Sequence, residues 1–405
     1  MRLLLVINIE AQAVGTLARL FTLGAPRDWQ VRIVSCRDMI HNPTRFAAAV
    51  AESDLVHWTN HKIFSSAERY TRTGRHVVSL HHLEGDEEDL TFLLRAQGFV
   101  VHARKYLAEV TRRLPRLHEH VACIPYPVDD SFFELGARRV AGHGSAARRH
   151  PGPLRVGFFS AASYENARKG IDLLPAVWRE LAALGIDATL VVTGLGWQRV
   201  LTGPDFRAVR AVYRMAPSYF DMPQLYGALD AYLCLSRIEG GPMTVFEAIA
   251  CGVPVVSTEV GRIPDCLAPD TTYWRVPQDN AAAAAQALAA IHGEPERANI
   301  MSCRALEAIR TPLSVQRYQE TFAAFYAEVA GLAAAPLAPA DLARDRRQRR
   351  RWRAWDRTYW AKESWVAGRR GEALRHMAEA FLLDPACEGI WRVPLRLLGG
   401  GRDEV

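Results

Sequence analysis

The sequence predicts an α/β protein with two doubly wound parallel-sheet domains and a C-terminal helical appendage. Three observations predict it. Short apolar runs alternate with helical patterns in both halves of the chain, as strands joined by crossover helices do. A stretch rich in Gly, Ala, Arg and His, with Pro151 and Pro153, separates the two series at 134–153. The segment 230–267, DAYLCLSRIEGGPMTVFEAIACGVPVVSTEVGRIPDCL, reads as a complete strand–loop–helix–strand unit.

The first domain, 1–133, offers strand candidates at Leu3–Ile7, Val31–Ser35, Leu55–His57, Val77–Leu80 and Phe99–His102, with a helical pattern at Thr44–Glu52. The N-terminus, MRLLLVINIE, turns acidic too soon for a signal peptide and reads as a first strand. After the linker, the second domain, 154–310, offers Leu154–Phe159, Leu190–Thr193 and a strand edge at Val212–Pro217. Tyr232–Leu235 then opens the 230–267 unit. Gly240-Gly241-Pro242 breaks this strand, and Thr244 precedes Glu247 by three residues, the spacing of a capping box. Val245, Ala248 and Ile249 give the helix its apolar face, and Gly252 and Pro254 stop it. Ligands of such units lie beyond the carboxyl ends of the strands, where helix N-terminal amides suit an anion. The plainer reading of the two glutamates is a cap for Glu247 and a solvated loop position for Glu239.

Composition bounds the function classes. The chain has 405 residues, enough for two or three domains, and nearly half are apolar. No apolar run reaches the roughly 18–20 residues that span a bilayer. Seven cysteines stand singly, without CxxC or metal spacing, which suggests free thiols and a reducing cytoplasm. Residues 341–405 hold 15 Lys/Arg against 10 Asp/Glu, so most of the +6 net charge belongs to this tail.

The pattern Tyr226-x3-Asp230-x6-Arg237-x-Glu239-Gly240, followed by Glu247-Ala248-x-Ala250-x-Gly252-x-Pro254-Val255-Val256-x-Thr258, resembles the donor-site segment of the family 4 retaining glycosyltransferases. The resemblance implies the GT-B fold, with two Rossmann-like domains facing a cleft. It implies transfer of a sugar from a nucleotide-diphosphate sugar, of UDP or GDP type, to an acceptor hydroxyl. Glu239 and Glu247 match the family's Glu-x7-Glu, one taking hydroxyls of the transferred sugar and the other the ribose. Lys169-Gly170 matches a Lys-Gly pair whose lysine neutralises the diphosphate. The family's arginine a few residues upstream is missing, and Arg168 is its candidate substitute. Gly194 matches a glycine turn, and Met215 lies where the base would be read. Amides around Gly240, Gly241, Met243 and Thr244 complete the donor set. His81 matches a histidine facing the sugar, with His82 as its competitor and a histidine satisfied inside its loop as the alternative. The chain leaves the first domain through Ile124, Pro125, Val128 and Asp129, as in the family.

One departure stands out. The family often has a Gly-Gly loop after its first strand, whereas here Asn8 to Gly15 carries a lone glycine, and no role is transferred to Gly15. The acidic run Asp86, Glu87, Glu88 and Asp89 reads as a helix start rather than a metal site, and no metal or other cofactor is expected. No second carboxylate is obviously placed for a double displacement, so the resemblance favours a same-face route. The alternatives are a catalytically inactive GT-B scaffold that binds a sugar or protein partner, and a nucleotide-sugar epimerase.

Beyond the second domain, Thr311–Leu332 has helical period, with Tyr318, Phe322 and Phe325/Tyr326 on one side. In GT-B proteins a helix near this point crosses back to the first domain. After an Ala/Pro linker, RDRRQRRRWRAWDRTYWAKESWV carries four of the ten tryptophans. Ala373-x6-Ala380-x4-Pro385 resembles the second helix of a tetratricopeptide repeat, so 341–405 reads as a helical hairpin docked on the body or on a partner. Contact with a membrane surface is a lesser alternative, and nucleic-acid binding is not expected. The expected partners are a nucleotide sugar and a glycan, lipid-linked or small-molecule acceptor. The expected location is the cytoplasm or the membrane periphery.

Overall fold

The computed structural model describes residues 1–8, 13–83, 90–115, 120–141, 152–162, 166–215, 218–332, 342–366 and 368–387. The chain divides into two compact units. One comprises Met1–Met215 with Pro223–Leu337, and the other Ala216–Met222 with Ala338–Val405.

The first unit contains two six-stranded sheets. The first sheet is built from β1 (Arg2–Ile7), β2 (Gln30–Ser35), β3 (Leu55–Trp58), β4 (His76–Leu80), β5 (Gly98–Val101) and β6 (Val121–Cys123). The second is built from β7 (Leu154–Phe159), β8 (Ala188–Thr193), β9 (Ala211–Tyr213), β10 (Ala231–Cys234), β11 (Val255–Ser257) and β12 (Trp274–Arg275). Their orders are β2-β1-β3-β4-β5-β6 and β12-β11-β10-β7-β8-β9, and the pairings within each are parallel. Central strands such as β1, β3 and β4 read as near-continuous apolar runs because both faces are covered. Strand order reverses between β1 and β3 in one sheet, and between β7 and β10 in the other. Crevices at such reversals are where doubly wound sheets bind ligands.

Two expectations need correction. Residues 134–141 of the expected linker belong to the helix Asp130–Ala141, which buries Phe132, Phe133 and Gly136. A Cβ on Gly136 would overlap the Ala250 carbonyl oxygen, so close packing on the second domain, rather than linker flexibility, accounts for this glycine. The rest of that linker, 142–151, lies outside the described residues, as do the acidic run Asp86–Asp89 and the Ala/Pro stretch 333–340. Of the strand edge expected at Val212–Pro217, the structure describes 212–215, and the strand there is Ala211–Tyr213. Strand β6 had no sequence signal, since its three residues are only partly buried.

The helix Val315–Ala330 packs into the first domain. Tyr318, Phe322 and Tyr326 share a core with Leu3, Leu5, Phe21 and Trp29. Tyr326 and Ser79 hydroxyls lie at 2.5 and 2.8 Å from the two ring nitrogens of the buried His57.

The second unit is a helical hairpin of Leu342–Val366 and Arg370–Leu383. Small residues let the helices approach. Ala354, Thr358 and Ala361 on one helix and Ala373 and Ala380 on the other are buried. Arg357 pairs with Asp221 at 3.2 Å and Glu379 at 3.0 Å. Among the described residues, no helix is long and apolar enough to cross a membrane.

Candidate active site

Lys169 and Glu239 meet beyond the carboxyl ends of β7 and β10, the two strands at the reversal of the second sheet. Lys169 Nζ is 2.5 Å from Glu239 Oε1, and Arg168 Nη1 is 3.7 Å from Oε2. Ser236 Oγ donates to the same Oε1 at 2.9 Å. Two further bonds join the loops: Arg237 N–H donates to Arg168 O at 2.8 Å, and the Arg168 side-chain Nη1 donates to Ile238 O at 3.1 Å. Gly170 makes this approach possible. Its φ is +74°, and a Cβ there would overlap the Leu235 carbonyl oxygen. Glu239 is only 8% exposed. Burial pushes its carboxyl upward, but the Lys169 and Arg168 charges and the two hydrogen bonds outweigh it and hold the group below the ordinary value. Glu239 is therefore an ionised, oriented acceptor at neutral pH.

The helix that follows is Met243–Ala250. It starts one residue before Thr244, so Thr244 and Glu247 cannot form the expected capping box. No side chain caps this helix. Among the described residues, the N–H groups of Gly241, Met243 and Thr244 donate to no backbone carbonyl. Such orphan amides mark a helix start that suits an anion. Glu247 is instead buried and accepts from Tyr226 Oη at 2.7 Å. The Tyr226 ring packs on Phe159 and Tyr232. Burial raises the Glu247 carboxyl to about 7, opposed by the Tyr226 hydrogen bond.

The first domain supplies the facing wall. His81, after β4, has both ring nitrogens engaged. Its Nε2 lies 2.6 Å from the Thr59 carbonyl oxygen, which can only accept, so Nε2 carries the proton. Its Nδ1 then accepts from the Tyr126 hydroxyl. The ring stacks on His102 at 5.0 Å. Burial lowers its pKa to about 4, against the Thr59 hydrogen bond, so the ring is neutral. Both nitrogens of the imidazole are thus satisfied by groups of its own domain. What His81 presents to the second domain is its carbonyl, which a Cβ on Gly240 would overlap. Gly241 lies against the Tyr126 ring. Tyr106 Oη donates to the Glu239 backbone oxygen at 2.8 Å, and Arg104 N–H donates to Asp265 Oδ2 at 2.8 Å.

The remaining candidates are spread around this centre. Gly194, with φ +117°, sits where a Cβ would overlap the Ser160 carbonyl oxygen, so the glycine turn lies beside the loop after β7. Met215 is half-buried at the end of the segment after β9, and Ala216 and Pro217 lie outside the described residues. Gly15 lies inside the helix Ala13–Leu23, and 9–12 fall outside the described residues. The competitor His82 is also half-buried. Sequence reasoning missed Tyr106, Tyr126 and Ser236. Ser236, three residues before Glu239, was open to notice, whereas the two tyrosines act on partners far away in sequence.

Comparison with known proteins bears most directly on the second domain. The sequence pattern described as Glycosyl transferases group 1 matches residues 153–293. The putative colanic acid biosynthesis glycosyltransferase WcaL of Escherichia coli is 32% identical over 139 residues, covering 30% of this chain and 33% of that protein. The lipopolysaccharide core biosynthesis mannosyltransferase LpsB of Rhizobium meliloti is 30% identical over 108 residues, covering 26% of this chain and 31% of that protein. The chain thus spans about a third of the length of these curated relatives. Anabaena HepE, solved in complex with UDP and glucose, superposes with a TM-score of 0.65 at 14% identity, covering 81% of this chain and 100% of that one. The chain has the GT-B fold, and its second domain carries the glycosyl transferases group 1 pattern over residues 153–293.

Proposed function

We propose that the protein is a retaining glycosyltransferase, moving a sugar from a nucleotide-diphosphate sugar to an acceptor hydroxyl without a metal. The observation that carries this reading is the Lys169–Glu239–Arg168 cluster beside the uncapped start of helix Met243–Ala250. In this reading Lys169 and Arg168 meet the diphosphate, together with the Gly241, Met243 and Thr244 amides. Pro242 has no N–H to add. Preorganised positive charge then stabilises the leaving group, which is the main catalytic contribution. Glu239 accepts from hydroxyls of the transferred sugar. Glu247, held through one oxygen by Tyr226, offers the other to the ribose, and the segment at Met215 meets the base. The UDP bound by Anabaena HepE supports a UDP-type donor. The names of the relatives support a glycan or lipid-linked acceptor.

The state of Glu239 supports the same-face route. A nucleophilic carboxylate must reach the anomeric carbon, and this one is already tied to Lys169, Arg168 and Ser236. His81 acts through its position: to bind a sugar hydroxyl its ring must exchange Tyr126 for the substrate.

The competing reading is a silent scaffold, favoured by the way Glu239 already neutralises Lys169. The test is incubation with a panel of UDP-, GDP- and dTDP-sugars, measuring released nucleoside diphosphate and the anomer formed. Turnover with retention is expected, unchanged by a chelator. Glu239→Gln should lower turnover by about 100-fold or more with little change in nucleotide affinity. An inverted product would overturn the same-face route. Absence of turnover and of nucleotide binding across the panel would leave the scaffold.

A further inference from the structure

The hairpin of the second unit has an apolar stripe that its own packing does not use. Leu374 is 63% exposed, Phe381 49% and Leu382 74%. They recur at i, i+7 and i+8, one face of a helix. The partner helix is met by other positions, Ala373, His376 and Ala380, which are buried.

A basic row flanks this stripe. Arg346, Arg347, Arg350, Arg351 and Arg353 on the longer helix are exposed. Arg350 Nη2 donates to the Leu382 carbonyl at 3.0 Å, which fixes the row against the C-terminal half of the stripe. Among the described residues, three carboxylates of the hairpin form ion pairs, and of the row these reach only Arg351. Glu372 pairs with Arg369, Glu379 with Arg357, and Asp384 with Arg351. Among the described residues, no carboxylate pairs with Arg346, Arg347, Arg350 or Arg353. Among the described residues, the face therefore combines the unpaired charges of Arg346, Arg347, Arg350 and Arg353 with large apolar side chains.

We propose that this face binds the surface of an anionic lipid bilayer. Phe381, Leu382 and Leu374 enter the boundary between headgroups and acyl chains, and the arginines meet headgroup phosphates. Charge complementarity selects this occupant. A duplex nucleic acid would meet the arginines but would leave the apolar stripe in water. A bilayer interface takes both. The inference stands apart from the proposed sugar transfer, because its readout is partition and not turnover.

The test is co-sedimentation of the full chain with vesicles of phosphatidylcholine alone, or containing about 30% phosphatidylglycerol. Partition to the anionic vesicles is expected to be at least about tenfold higher, and to weaken with salt. Phe381→Ser with Leu382→Ser should lower it, and so should Arg346→Gln with Arg347→Gln and Arg350→Gln. Circular dichroism checks that each variant keeps its helices. Should the serine variant unfold, the arginine variant decides. Equal partition to both vesicle types, variant binding equal to wild type, or retention on duplex DNA without vesicle binding would each overturn the proposal.

Discussion

Tyr106 of the first domain donates its hydroxyl hydrogen to the backbone oxygen of Glu239 in the second, at 2.8 Å. The bond holds the candidate catalytic carboxylate by its main chain from across the cleft. Burial, with the nearby Glu239 and Glu109 charges, pushes the Tyr106 hydroxyl far above its ordinary range, so it stays a donor at any working pH.

Tyr106→Phe keeps the ring and removes only this bond. A hydrogen bond of this kind contributes about 1 kcal/mol, or roughly fivefold. Turnover should fall by about that factor while nucleoside diphosphate affinity, measured by calorimetry, stays unchanged. Unaltered turnover would show that the bond does not hold the productive loop.

Gly240→Ala tests the closeness of the two domains at His81. The added Cβ meets a backbone carbonyl, which cannot swing away as a side-chain tip can. Overpacking of this kind costs about 1–3 kcal/mol. A lower midpoint of thermal unfolding and a loss of turnover exceeding that of Tyr106→Phe are expected. A wild-type profile for this variant would mean that the loop and His81 need not touch.

Glu247 makes stability depend on pH. Its folded value is about 7 against an ordinary 4.5. Between these values the unfolded chain ionises while the folded one keeps its proton, so stability is full below 4.5 and is lost as pH rises toward 7. The loss amounts to about 3 kcal/mol. Glu247→Gln keeps an acceptor for Tyr226 and removes the titration. Urea denaturation at pH 5 and pH 8 should show the wild type losing stability relative to this variant. Parallel behaviour of the two proteins would count against a raised Glu247.

The sheets were legible because burial on both faces writes parallel strands as apolar runs, as in Leu3–Ile7 and Leu154–Phe159. Lys169 and Glu239 were legible as motif residues, and the reversal of strand order brings them together. What the sequence could not show was set by contacts distant in sequence. The His81 ring is aimed by Thr59 and Tyr126, 22 and 45 residues away. Glu247 looked like a helix cap because Thr-x-x-Glu is a local signal, but the helix begins at Met243 and Tyr226 takes the carboxylate. The linker at 134–153 rests on composition, which does not reveal that Gly136 is a close-packing position against Ala250.

The helix Val315–Ala330 has a bearing on how the protein comes into being. It is made after the second sheet, yet Tyr318, Phe322 and Tyr326 cover one face of the first. A nascent chain that has completed β1 to β6 therefore still lacks part of its first core. That face must wait, uncovered, through the synthesis of nearly 200 further residues, so the first domain closes only after the second sheet is made although it is translated first.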